Sequence, residues 1–122
     1  MNFVEPTTLA LVSKALDAAT ARQVVHSHNI ANANADGFAP TQVRFEEHMT
    51  HVRDALARGD RLTGADVSEL DITFETLQAG NKVELDTEVA ALARNALHYQ
   101  ALIKALDREL SMMSLAVSDG RR

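Results

Sequence analysis

Five histidines are the first residues to test for chemistry. His26 and His28 are two positions apart. On a helix successive residues turn by about 100°, so this pair points about 200° apart and cannot close on one ion. His48 and His51, three apart with Glu47 beside them, can share one helix face. A metal site takes three or four ligands, and no third is in register with them. His98, next to Tyr99, reads as a packing or surface residue. Ser13, Ser27, Ser111, Ser114 and Ser118 have none of the surroundings of a nucleophile elbow. Gly37, Gly59, Gly64, Gly80 and Gly120 are isolated and build no phosphate-cradling loop. Glu84, Asp86 and Glu88 are placed as carboxylates at a helix start, where the positive end of the dipole favours them. Met112–Met113 is apolar filler of the flexible kind. These residues assemble no catalytic constellation. The expectation is a protein that is not an enzyme and holds no metal or cofactor.

The elements that would have positioned such a site are more informative than the site. From Leu85, apolar residues recur at alternating steps of four and three: Val89, Leu92, Ala96, Tyr99, Ile103, Leu106, Leu110, Met113 and Val117. This a/d pattern is the seam of a coiled coil rather than the wide face of a globular helix. Glu88, Arg94, Lys104, Asp107, Arg108 and Glu109 lie between, and no Gly or Pro interrupts. Such a helix is about 48 Å long and needs an equally long partner. The N-terminal stretch supplies one. Leu9, Val12, Leu16, Ala19 and Ile30 follow the same spacing, and the column passes through Gln23 and His26, so its second half is polar. Thr7 or Thr8 can cap this helix next to Pro6.

The stretch from Asn32 to Gly37 stops the first helix, with Phe38 placed to fold back and Pro40 blocking continuation. A short helix is expected from Phe45 to Arg58, with Phe45, Met49, Val52 and Leu56 on one face, closed by Gly59-Asp60. Over 61–82 the pattern weakens. Leu70, Ile72 and Phe74 alternate with Asp71 and Thr73, the mark of a short strand or an extended arm, between the turn signals Thr63-Gly64 and Gly80-Asn81. The expected fold is all-α, an antiparallel coiled-coil-like pair of long N- and C-terminal helices with a short middle helix and an extended, partly flexible arm. It is one rod-type domain over 1–122: helix 8–32, then turn, short helix and arm 33–84, then helix 85–118. The longer C-terminal helix leaves part of its seam uncovered, which marks an assembly surface.

Composition narrows the classes further. The chain of 122 residues is 46% hydrophobic but only 4% aromatic, a balance that suits Ala- and Leu-rich seams. A net charge of −5, with Arg121–Arg122 the lone basic cluster, argues against nucleic acid. Without cysteine there is no disulfide, thiol catalysis or zinc ribbon. No stretch approaches the ~20 apolar residues that span a bilayer, and the N-terminus lacks a signal peptide's positive region, so neither membrane insertion nor a cleaved signal is expected.

Two motifs carry a resemblance. Ser27-His28-Asn29-Ile30-Ala31-Asn32-Ala33 resembles the S-N-I-A-N-A signature of bacterial flagellar rod, hook and related axial proteins, with Gly37-Phe38 supplying the turn that follows it there. His28 stands where Ser is usual, and Ala35-Asp36 replaces the common Thr-Pro. Gly80-Asn81-Lys82-Val83-Glu84-Leu85-Asp86-Thr87-Glu88-Val89-Ala90, then Asn95 and Tyr99-Gln100-Ala101-Leu102, is similar to the pattern of the family's proximal-rod members, with Val89 where Met is usual. Together the motifs cover both terminal helices.

The resemblance implies a structural subunit of the flagellar basal body, in the periplasmic rod that carries motor torque, polymerising through its terminal helices. Implied partners are other rod subunits (FlgC-like), the FliE adaptor, the FliF membrane ring and the flagellar type III export apparatus, which exports such chains without a cleaved signal peptide. Phe45-Glu46-Glu47-His48-Met49 has the F-x-x-x-apolar form of the family's export-gate segment, and equally reads as one face of a short helix. A FlgC-like rod subtype and a soluble helical adaptor or export chaperone stay open as alternatives.

Overall fold

The computed structural model describes residues 6–80 and 82–121. Residues 1–5, Asn81 of the second turn signal and motif, and Arg122 of the basic pair lie outside the described residues. In chain order the elements are α1 (Pro6–Ala31), β1 (Thr41–Arg44), α2 (Thr50–Ala57), α3 (Gly64–Ser68), β2 (Thr73–Thr76) and α4 (Leu85–Asp119). Both long helices form where their apolar spacing places them, and they pack against each other. Asp86 and Glu88 lie in the first turn of α4. Glu84 takes the N-cap position without a side-chain cap bond, and Thr87 Oγ1 donates to its carboxylate at 3.2 Å.

The fold is not all-α. β1 and β2 form a two-stranded antiparallel sheet, pairing Thr41 with Thr76 and Val43 with Phe74, and the Leu77 amide extends the ladder by donating to the Pro40 carbonyl at 2.8 Å. The alternation over Leu70–Phe74 foreshadowed β2. Its partner β1 is a four-residue strand whose alternation, Val43 and Phe45 against Gln42 and Arg44, is too short to stand out, and the pairing across the sheet defines it. Glu75 on β2 accepts hydrogen bonds from the Gln42 amide and the Arg44 guanidinium of β1, which together hold its carboxyl below the usual range.

The middle of the chain folds onto α1 instead of extending as an arm. Residues 45–49 run through turns, with the His48 and Met49 amides donating to the carbonyls of Phe45 and Glu46, so α2 starts at Thr50 rather than at Phe45. This delay turns Phe45 inward. It is buried with Ala18, Val52 and Leu70, and Leu11, Ala15, Met49, Leu62 and Ile72 pack around that cluster. Gly59 ends α2 with φ +80, its amide donating to the Leu56 carbonyl while that of Asp60 donates to Ala55. This pair of bonds is the Schellman closure, and it needs a residue tolerant of positive φ.

α3 begins with a reciprocal capping box. Thr63 Oγ1 accepts the Asp66 amide, and the Asp66 carboxylate accepts the Thr63 amide at 2.7 Å. These bonds, the one to the Thr63 amide foremost, lower the Asp66 pKa. An acid with a depressed folded-state pKa contributes stability above its unfolded pKa and loses it as pH falls through the folded one. We therefore expect the α3 amides to lose exchange protection below about pH 4, and Thr63→Ala to move the Asp66 midpoint up. NMR titration of the carboxyl checks both.

Candidate assembly interface

α1 is the central element. One of its faces, through Leu11, Ala15 and Ala18, packs on the middle layer. A second face, about a quarter-turn away on the helical wheel, carries the expected seam toward α4. Ala19 is fully buried there, and Leu9, Val12, Leu16 and Ile30 are half-buried. The contact is antiparallel, since Asn95 bonds Ala19 while Glu88, seven residues back along α4, meets His26, seven residues on along α1.

Polar side chains fix this contact. Asn95, buried in the first third of α4, donates from Nδ2 to the Ala19 carbonyl at 2.8 Å. The small Ala18 and Ala19 let the backbone come within reach of such a short side chain. His26 Nδ1 lies 2.7 Å from Glu88 Oε2, both side chains being mostly shielded from water. The other Glu88 oxygen lies 3.4 Å from Nδ2 of Asn29. Asn29 is 1% exposed and binds both backbone groups of Thr41, accepting its N–H at 3.0 Å and donating to its C=O at 2.8 Å. Its carboxamide thus satisfies both backbone groups of half-buried Thr41 as a neighbouring strand would. One cluster, His26–Glu88–Asn29–Thr41, joins α1, α4 and β1.

The remaining residues of the N-terminal motif shape the turn. Ala31 is the last residue of α1, and the Asn32 side chain donates to the His28 carbonyl at 2.9 Å, closing the helix end. Gly37 has φ +71, and Phe38 returns edge-on to His28 with ring centroids 5.5 Å apart.

The α4 seam divides into two columns. Glu88, Leu92, Asn95, Leu102, Leu106, Glu109 and Met113 are all at least half-buried on one stripe of α4, which meets α1 at Glu88 and Asn95. This stripe shares the Leu92, Leu106 and Met113 column with the expected seam, together with Tyr99, which is 40% exposed. The other expected column is Val89, Ala96, Ile103, Leu110 and Val117, all exposed but half-buried Ile103; Leu85, at the head of the first column, is exposed as well. Leu85, Val89, Leu110 and Val117 show 47%, 49%, 49% and 59% of their surface. Polar Glu88 and Asn95 take the inner positions because α1 offers them a histidine and a carbonyl. The purely apolar column faces outward. Beside it, between Ala19, Thr20, Ala96 and Tyr99, lies an open hollow of about 330 Å³.

Hydrophobic spacing singles out the apolar column and passes over Glu88 and His26, whose value lies in meeting each other across 62 positions of sequence. The signal for them was the polar interruption of the α1 seam at Gln23 and His26. Phe45 and Met49 sit in the middle layer, Phe45 buried and Met49 half-buried. His48 and His51 gain no third ligand, and among the described residues no group of three metal-ligating side chains exists. No helix among them is long and apolar enough to cross a membrane.

No family model matches the sequence. Two relatives align with almost all of it. The flagellar basal body rod protein FlgB of Bacillus subtilis (strain 168) is 25% identical over 123 aligned positions, covering 93% of this chain and 95% of that protein. The flagellar basal body rod protein FlgB of Yersinia enterocolitica is 26% identical over 129 positions, covering 92% and 94%. The alignments span the long helix pair, the Asn29 turn and the middle layer together, so it is over nearly its whole length that this chain is similar to FlgB flagellar rod proteins.

Proposed function

We propose that the chain is a structural subunit of the proximal rod of the bacterial flagellar basal body, polymerising through its terminal helices into the shaft that transmits motor torque. The observation that carries this is the exposed apolar column Val89, Ala96, Leu110 and Val117, with exposed Leu85 beside its head, on a helix already paired with α1. Full-length similarity to FlgB proteins supports it. A shaft needs no catalytic group. It needs rigid subunits with a surface that repeats from copy to copy, and heterologous contacts that do not close generate an open helical filament. The seam residues Leu9, Val12, Leu16, Ala19 and Ile30 hold α1 against α4, and the outer column meets neighbours. Those neighbours are FlgC-like rod subunits, with the FliE adaptor and FliF ring at the base. The chain reaches the periplasm through the type III export apparatus without a cleaved signal. The export-gate segment Phe45–Met49 is read while the chain is unfolded, because folding buries Phe45.

The test is a double variant, Val89→Asp with Leu110→Asp, supplied to cells lacking the native gene. Both side chains are about half exposed, so each change should alter monomer stability by roughly 0.5 kcal/mol or less. The expected result is normal accumulation, a melting temperature lowered by no more than a few degrees and loss of swimming. Normal swimming, or a discrete wild-type dimer that ignores rod partners in hydrogen exchange, would overturn the rod reading.

A further inference from the structure

The chain contains two Asp-Gly dipeptides, Asp36–Gly37 and Asp119–Gly120. In this pair the glycine nitrogen can attack the preceding side-chain carboxyl, because no Cβ hinders the approach. What decides between the two is how each nitrogen and carboxyl is held. At the end of α4 both are constrained. Asp119 is helical, and the Gly120 amide donates to the Ala116 carbonyl at 3.1 Å. A helical backbone keeps the side-chain carboxyl away from the following nitrogen. The Asp36–Gly37 turn is closed by the Phe38 amide donating to the Ala35 carbonyl at 3.2 Å, a bond that involves neither the Asp36 carboxyl nor the Gly37 nitrogen. Both residues are exposed, Gly37 has φ +71, and nothing lies within 4 Å of where its Cβ would be. Neither the Gly37 amide nor the Asp36 carboxylate makes a hydrogen bond or ion pair among the described residues.

We infer that Asp36–Gly37 is a site of spontaneous backbone modification, through succinimide formation to isoaspartate. The Gly37 nitrogen bonds to Cγ of Asp36, and one carboxyl oxygen leaves as water with the amide proton and the acid proton. Water then opens the five-membered imide. Attack at the side-chain carbonyl restores aspartate; attack at the main-chain carbonyl leaves the chain running through the β-carboxyl. One water is lost and one regained, so composition is unchanged and no other reactant is required. The backbone gains one carbon in the turn that holds Phe38 against His28 and links Asn29 to Thr41. The inference stands independently of the rod reading.

The experiment ages the purified full-length protein at neutral pH in water enriched with heavy oxygen, followed by digestion and mass spectrometry. Methyl transfer by an isoaspartate-specific carboxyl methyltransferase is measured in parallel. Heavy-oxygen uptake and methyl acceptance are expected in the 36–37 peptide severalfold above the 119–120 peptide, and comparable at both when the protein is aged in urea. Asp36→Glu, which would need a less favourable six-membered ring, should reduce the turn peptide to background. Equal uptake at the two sites in the folded protein, no uptake at 36–37, or methyl acceptance of that peptide unchanged by Asp36→Glu would overturn the inference.

Discussion

Replacing Phe45 by alanine is expected to lower the free energy of unfolding by about 3–5 kcal/mol. Phe45 is 3% exposed, and its ring is the largest side chain in a cluster otherwise built of Ala18, Val52 and Leu70. A domain is stabilised by only about 5–15 kcal/mol in total, so the loss removes a large share. The cavity opens between α1 and the middle layer, while the α1–α4 contact is held elsewhere, by Asn95 and the His26–Glu88 pair. The urea midpoint should fall, and proteolysis should begin around residues 59–64 while most helical circular dichroism persists. Phe74→Ala is the control. Phe74 is 61% exposed, so the same change of chemistry should cost within about 0.5 kcal/mol. Equal effects at the two positions would show that the middle layer is not packed as described.

The second large effect is expected at Asn29. Asn29→Ala removes the partners of both Thr41 backbone groups, and two unsatisfied groups cost about 2–6 kcal/mol together. Asn29→Asp separates hydrogen bonding from size. One carboxylate oxygen still accepts the Thr41 N–H, but the other replaces a donor facing the Thr41 carbonyl at 2.8 Å and the Glu88 carboxylate at 3.4 Å. A buried acid among acceptors has a folded-state pKa above its unfolded value. Its destabilisation is therefore greatest at neutral pH and shrinks as pH falls and the acid protonates. Asn29→Ala should show no such recovery. Urea midpoints for both variants across the acidic range decide it, and parallel pH curves would mean that Asn29 acts only by filling space.

These two positions show why the chain tolerates an exposed apolar column on α4. The interior is secured by a compact cluster under α1 and by a few polar bonds between elements, so the outer column contributes little to holding the monomer together. Its chemistry is free to serve contacts with other copies, which is how we read it in the rod.

The sequence by itself determined the two long helices, because an unbroken three-four apolar period with no Gly or Pro leaves the backbone little alternative. It determined the Gly59 closure and the Gly37 turn as well, since positive φ is a local demand that only particular residues meet cheaply. The motif around Asn29 was legible as a family mark, but its task was not. The backbone groups it satisfies belong to β1, and no local pattern reveals that a carboxamide twelve residues away will stand in for a strand. Only tertiary structure decided that α1 carries two contact faces and that the middle folds back into a sheet and a core. It also decided which column of α4 turns inward. Hydrophobicity alone favoured Val89, Ala96 and Leu110, whereas Glu88 and Asn95 are at least half-buried because each finds, on α1, a partner that replaces the water it gives up. Local periodicity fixes where a helix runs; the pairing of polar groups across distant positions fixes which way it faces.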